Sequence, residues 1–202
     1  MNTEALVIMA KAPRAESVKT RLRGHLADGE RLALYESLLE GTIQRLQDIP
    51  GVDTFIAYTP AGDREYFAAW GLPLFPQSEG DLGLRMHEAL GAVLKRDYRK
   101  AALVGVDIPA LTAGVVREAM GLLESHDLVF GPARDGGYYL VGMTAPRRAV
   151  FEAIPWSSPK TLEGSVRKAR SLGLSVAFTR ELSDIDTIED LKRPGQARPG
   201  AP

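Results

Sequence analysis

Apolar positions along this chain follow two alternating rhythms. Short continuous runs suit strands covered on both faces: Glu4 to Ala10, Val52 to Tyr58, Ala101 into Asp107, and Asp127 to Gly131. Between them the spacing becomes helical. Leu32, Tyr35, Leu39, Ile43 and Leu46 fall on one face of a long helix that Asp28 can cap and Pro50-Gly51 ends. A short helix over 64–70 leads to a third strand over 72–75, and Met86, Ala89, Leu90, Val93 and Leu94 mark the next helix. Thr112 caps another that runs through Leu123. Tyr138 to Gly142 reads as a strand whose connection is too short for a crossover helix, which favours antiparallel pairing. Ser158-Pro159 supplies a cap and a first-turn proline for a helix ending at Ser171. Leu174 to Phe178 is a late strand, and Thr187 with Asp190 forms a capping-box pattern before a last short helix.

Strands alternating with helices predict a mostly parallel sheet in three layers. No repeat or interdomain linker interrupts the pattern, so residues 1–192 are expected to form one domain. Residues 193–202, rich in proline and glycine, are expected to form a disordered tail. At 202 residues and 45% hydrophobic composition, the chain is long and apolar enough for a real core. The absence of cysteine excludes disulfides, thiol nucleophiles and cysteine metal sites, and fits a cytoplasmic protein. The run from Ala5 to Ala10 is too short for a signal peptide or membrane span. A net charge of -1 argues against nucleic acid held by bulk charge. His25, His87 and His126 show no metal-ligand spacing.

Candidate chemistry sits in loops that follow strands. The strand near Leu103 stops on Asp107, placing a carboxylate where open α/β sheets bind ligands; a turn-capping role for this Asp before Ile-Pro is the alternative. Gly105 suits close approach of a partner there. From Lys11 to Arg23 there are five Lys or Arg and one acid, a local balance of +4 that suits a polyphosphate or, alternatively, a solvated loop. Neither G-x-G-x-x-G nor a P-loop is present. Gly131 to Tyr139 puts Asp135 beside Gly136 and Gly137, as a ligand loop or a plain Asp-Gly turn. Gln77 to Arg85 is a polar, glycine-containing loop, and Asp184 and Asp186 follow the last strand. Basic and acidic loops together suit a divalent ion held by one or two carboxylates and substrate phosphates.

These motifs occur in a recognisable order: Lys11-x-Pro, Lys19-Thr-Arg-Leu, Gly80-Asp-Leu-Gly with Arg85-Met, Gly105-x-Asp-x-Pro, Gly131-Pro-x-x-Asp-Gly-Gly-Tyr, Trp156-Ser, and Asp184-Ile-Asp-Thr with Asp190-Leu. Over residues 4–192 the chain resembles the glycosyltransferase-like radical-SAM/selenodomain-associated transferases. These are similar in turn to the 2-phospho-lactate guanylyltransferases and, more distantly, to the molybdenum cofactor guanylyltransferases. The resemblance implies the GT-A fold of the nucleotide-diphospho-sugar transferase superfamily, a Rossmann-like α/β/α sandwich whose mostly parallel mixed sheet has about seven strands. It implies that Asp107 binds a metal, Mg²⁺ or Mn²⁺, with Asp135 or Asp186 as further ligands. Lys19 and Arg21 would address nucleotide phosphates and join Asp107 in catalysis, with Lys11, Gly80, Arg85, Gly136 and Gly137 completing the nucleotide site. Two departures stand out. The first loop, Pro13 to Ser17, lacks the guanylyltransferase glycines, and the Asp-x-Asp of glycosyltransferases is reduced to Gly105-Val106-Asp107.

The implied substrates are a nucleotide or nucleotide-sugar and a small acceptor, with neither nucleic acid nor membrane involved. Nucleotidyl transfer from a nucleoside triphosphate and glycosyl transfer from a nucleotide-sugar need the same cluster, because both stabilise a departing phosphate. The basic pair favours nucleotidyl transfer. A non-catalytic nucleotide-binding accessory protein is the reading from another class, and turnover separates the three.

Overall fold

The computed structural model describes residues 2–14 and 16–192. Seven strands form one sheet: β1 (Glu4–Lys11), β2 (Val52–Thr59), β3 (Leu74–Pro76), β4 (Lys100–Val104), β5 (Leu128–Pro132), β6 (Tyr138–Met143) and β7 (Val176–Phe178). Their order is β3-β2-β1-β4-β6-β5-β7. β6 alone runs against its neighbours: Val104 pairs with Leu140 on one side, and Phe130 with Val141 on the other. The mostly parallel mixed sheet expected from the sequence is therefore the fold, antiparallel β6 included. β6 also separates β4 from β5, so the strands leading to Asp107 and Gly131 share an edge without touching.

The helices are α1 (Asp28–Leu46), α2 (Arg64–Ala68), α3 (Leu82–Leu94), α4 (Ala113–Leu122), α5 (Thr161–Ser171) and α6 (Ile188–Lys192). Side chains alternate along β1. Leu6 and Ile8 pack with Leu39, Ile43, Val116 and Met120 of α1 and α4. Ala5 and Val7 pack with Met86, Leu90 and Ala169 of α3 and α5. Two covered faces explain why this strand reads as an unbroken apolar run.

Helix starts depart from the sequence reading in three places. Ala27, not Asp28, is the N-cap of α1; Glu30 Oε2 accepts its N–H at 2.8 Å, while Asp28 pairs with Arg31. Helix α5 begins at Thr161, and Ser158-Pro159 forms the preceding turn, where Ser158 Oγ accepts the Lys160 N–H at 3.2 Å. Thr112 is the N-cap of α4 by backbone, but its hydroxyl makes no cap bond. The Thr187–Asp190 box is present, with Asp190 Oδ2 accepting the Thr187 N–H at 2.7 Å. Strand β4 ends at Val104, so Asp107 stands in the following loop rather than on the strand. Residues 193–202, the expected tail, lie outside the described residues.

Candidate active site

The carboxyl ends of β1 and β4, adjacent and parallel, open onto one edge of the sheet. The chain after β7 returns along that edge. Leu182 N–H bonds Pro132 O at 3.0 Å, and Ile185 N–H bonds Asp107 O at 3.0 Å. This return path brings residues 184–186 beside the loops after β1 and β4, though they are far from both in sequence.

Lys19 lies at the meeting point. Its side chain is only 2% exposed, and its Nζ donates to Ile185 O at 2.5 Å and to Asp186 Oδ1 at 3.1 Å. Nζ also forms an ion pair with Asp107 Oδ1. Lys19 adopts a left-handed backbone, φ 47°, a costly conformation for a residue with a Cβ. Burial alone would lower its pKa, but the charges of Asp107 and Asp186 outweigh that and raise it. For Asp107, burial pushes the carboxyl pKa up, with Lys19 opposing and Asp186 adding to the rise. Asp107 Oδ1 is buried and has no hydrogen-bond partner in good geometry, while the side chain as a whole stays 39% exposed. Among the described residues no backbone N–H donates to this carboxylate, which removes the turn-cap alternative. The same test goes the other way at Asp135, whose Oδ1 accepts the Gly137 N–H at 2.8 Å as in an ordinary Asp-Gly turn.

Two clefts meet at Asp107. The first, about 420 Å³, is lined by Lys11, Lys19, Gln77 and Arg85, with Met9, Val18 and Met86 as apolar wall. The second, about 280 Å³, is lined by Arg21, Asp135, Gly137, Asp184, Asp186 and Trp156. Gly105 borders both, and a Cβ there would meet nothing within 4 Å, so that side of its backbone is open to the clefts. The basic loop divides its labour. Arg14 pairs with Asp63, Arg23 donates to Glu16 O at 2.8 Å, and Arg21 reaches Asp186 at 3.4 Å. Only Lys11 and Lys19 of the five cations line the first cleft.

Gly80 and Gly136, expected to complete the nucleotide site, line neither of these two clefts. Gly80 (φ +117°) precedes α3, which Asp81 caps by accepting the Leu84 N–H at 2.8 Å. Gly136 has φ +86°, and a Cβ there would lie 2.1 Å from the Pro159 carbonyl oxygen. Gly136→Ala is accordingly expected to lower stability by about 2 kcal/mol or more, from backbone strain plus overpacking, as measured by thermal unfolding.

Three contributors escaped the sequence reading as site residues. Gln77 Nε2 donates to Ala10 O at 3.1 Å and to Ala57 O at 2.9 Å, which pins it across the ends of β1 and β2. Tyr35 OH donates to Lys11 O at 3.0 Å and accepts the Lys11 N–H at 2.9 Å, fixing the start of the basic loop. Burial raises its pKa, with the Asp107 charge adding to the shift. Asp184 borders the second cleft, and its pKa is pushed up to about 6 by burial, then by Asp135 and Asp186. Between pH 4 and 6 the folded state therefore holds more protons here than the unfolded state, and this group's penalty is fully present only above the folded pKa. Asp184→Asn should raise the melting temperature at pH 8, by about 2–4 °C for ~1 kcal/mol once solvent screening is allowed for, with the gain vanishing near pH 4.

Can a divalent ion fit? Among the described residues no three His, Cys, Asp or Glu side chains form a ready metal cluster. Asp107, Asp135 and Asp186 are thus not gathered into one ligand set, and both Asp186 oxygens already face Lys19 and Arg21. The Asp107 carboxylate, paired with Lys19 through Oδ1, and Asp186 on the same ammonium nevertheless offer hard oxygen donors in a cleft. That suits Mg²⁺ or Mn²⁺ carried with substrate phosphates, and it does not suit an all-protein cage.

The seven-stranded mixed sheet, with cations and carboxylates converging at its carboxyl edge, has the nucleotide-diphospho-sugar transferase fold. The chain belongs to the bacterial family described as "Uncharacterized protein conserved in bacteria" (DUF2064), whose profile matches residues 42–158. It is 32% identical over 181 residues to the 3-phospho-D-glycerate guanylyltransferase of Phenylobacterium zucineum (strain HLK1), covering 85% of this chain and 81% of that protein. A crystal structure from Desulfovibrio desulfuricans G20, assigned to the nucleotide-diphospho-sugar transferases, superimposes with a TM-score of 0.90 at 30% identity, covering 99% of this chain and 92% of that one. Two more distant structures share the fold. CMP:2-keto-3-deoxy-manno-octonic acid synthetase, complexed with CTP, has a TM-score of 0.59 at 13% identity, covering 94% of this chain and 95% of that one. A Mycobacterium tuberculosis H37Rv protein in complex with manganese has a TM-score of 0.53 at 14% identity, covering 95% of this chain and 97% of that one. No helix among the described residues is long and apolar enough to cross a membrane.

Proposed function

We propose that this protein transfers a nucleotidyl group, by analogy with its relative a guanylyl group, from a nucleoside triphosphate to a small acceptor. The observation that carries this reading is the meeting of two clefts at the Asp107–Lys19 ion pair, the first adding Lys11 and Arg85 and the second Asp135 and Asp184. Lys11 and Arg85 offer charge-assisted hydrogen bonds to phosphate oxygens in the first cleft, and Gln77 fixes the floor between them. Lys19 holds the first loop against Asp107 and Asp186, so that positive charge is in place before the leaving group develops its own. Asp107 and Asp186 are the carboxylates that would hold a divalent ion. When bound, that ion supplies neutralising charge between phosphate oxygens. Arg21 faces the second cleft, where an acceptor would wait beside the α-phosphorus. The resemblance to the radical-SAM/selenodomain-associated transferases supports the same family of reactions.

A thermal-shift screen of nucleoside triphosphates and nucleotide-sugars, with and without Mg²⁺ or Mn²⁺, tests the binding half of this reading. At about 100 times its dissociation constant, a bound triphosphate should stabilise the protein by roughly 2.7 kcal/mol. Stabilisation by nucleotide-sugars alone would favour glycosyl transfer, and no shift with either class would contradict nucleotide binding.

A further inference from the structure

The two clefts differ in the hydrogen-bonding sense of their walls. Both are lined by Asp107 and Asp186, and the first adds donors from Lys11, Lys19 and Arg85. The second adds the acceptors Asp135 and Asp184, with Arg21 as its one Lys or Arg among the described residues, and Arg21 is already 3.4 Å from Asp186. Asp135 and Asp184 have no basic partner within 4 Å among the described residues. A divalent ion on Asp107 and Asp186 would leave both of these acids uncompensated. Ser157, Ser158 and Trp156 line the same cleft. Ser157 is held at φ 56°, a strained backbone of the kind that collects at binding sites.

Ionised carboxylates accept hydrogen bonds and donate none. A ligand facing this wall must therefore bring hydrogens. Phosphate and carboxylate groups bring lone pairs and negative charge, and like charges placed together are strongly disfavoured. Hydroxyl groups bring donors without charge, serine hydroxyls can answer them in either sense, and an indole face covers a carbon skeleton. We infer, resting on the nucleotidyl-transfer reading, that the acceptor is a neutral, hydroxyl-rich small molecule whose hydroxyls donate to Asp135 and Asp184 in the second cleft. It is not a phosphorylated acid of the kind that names the Phenylobacterium relative. In the reaction, one acceptor oxygen bonds the α-phosphorus and the α–β anhydride bond breaks. Its electron pair leaves with pyrophosphate, and the hydroxyl proton passes to water.

Saturation-transfer NMR on the full chain tests this without requiring turnover. The probes are neutral polyols and sugars (glycerol, myo-inositol, glucose), ethanolamine, and 3-phospho-D-glycerate. The expected result is saturable binding of a neutral probe, at least about tenfold tighter than 3-phospho-D-glycerate. That preference should shrink in Asp135→Asn and Asp184→Asn; if either variant fails to fold, the wild-type ranking decides alone. Tighter binding of 3-phospho-D-glycerate or of ethanolamine, or no binding by any neutral probe, overturns the inference. Nucleotide-induced thermal shifts judge the nucleotidyl-transfer reading separately, so the two can fail independently.

Discussion

Asp107→Asn is expected to slow nucleotidyl transfer about 10²- to 10³-fold while leaving stability within about 1 kcal/mol of the parent. The two halves of that expectation have different origins. The rate loss follows from removing the charged oxygen at the junction of the clefts, where charge on the reacting phosphates must be met. The small stability change follows from local bookkeeping of charge: Lys19 keeps Asp186 and Ile185 O as partners, and burial already disfavours the ionised form of Asp107. Activity and melting temperature measured on the one variant check both. A destabilised Asp107→Asn protein with near-normal turnover would make Asp107 structural.

Lys19→Met should behave in the opposite way. Its ammonium joins the loop after β1, the loop after β4 and the return segment at 185–186. Its removal leaves Asp107 without its ion-pair partner and Asp186 with Arg21 alone. Breaking a fully buried pair costs about 3–5 kcal/mol; with each carboxylate here at least one-third exposed, a loss of roughly 2 kcal/mol, or about 4–8 °C, is expected. The folded pKa of Lys19 lies above its ordinary 10.5, so the ammonium's contribution is complete below that value and fades only as pH rises through the folded pKa. The difference in stability between parent and Lys19→Met should therefore stay flat from pH 7 to pH 9. Nucleotide affinity should also fall, whereas Lys11→Met should weaken nucleotide binding with little change in stability. Calorimetric unfolding with nucleotide titration separates these outcomes.

The sheet was legible because its strands are covered on both faces, which makes β1 and β4 continuous apolar runs that no amphipathic helix imitates. Asp107 was legible because it follows such a run. Helix starts were less so. Asp28 has the chemistry of a cap, yet Glu30 satisfies the Ala27 N–H and Asp28 turns to Arg31, a local competition that residue preference cannot resolve. The charge of the basic loop could be counted but not apportioned, because Arg14 pairs with Asp63 across the fold and Arg23 turns back to the Glu16 carbonyl. Gln77 and Tyr35 were invisible as site residues because their role is to bond the backbone of β1 and β2, a contact made only once the strands are side by side. Asp184 was noticed as an acid, but its raised pKa comes first from burial and then from Asp135, near which the pairing of Leu182 with the end of β5 brings it. Spacing along the chain carries no record of that approach.

The central claim is that the bond broken lies between the α- and β-phosphates of a nucleoside triphosphate. Phosphorus NMR of the full chain incubated with nucleoside triphosphate, Mg²⁺ or Mn²⁺ and a polyol pool reads the leaving group directly. Inorganic pyrophosphate is expected to appear in step with a new phosphodiester or diphosphate resonance, both slowed about 10²- to 10³-fold in Asp107→Asn. Release of nucleoside diphosphate from a nucleotide-sugar, with triphosphates left intact, would contradict that claim.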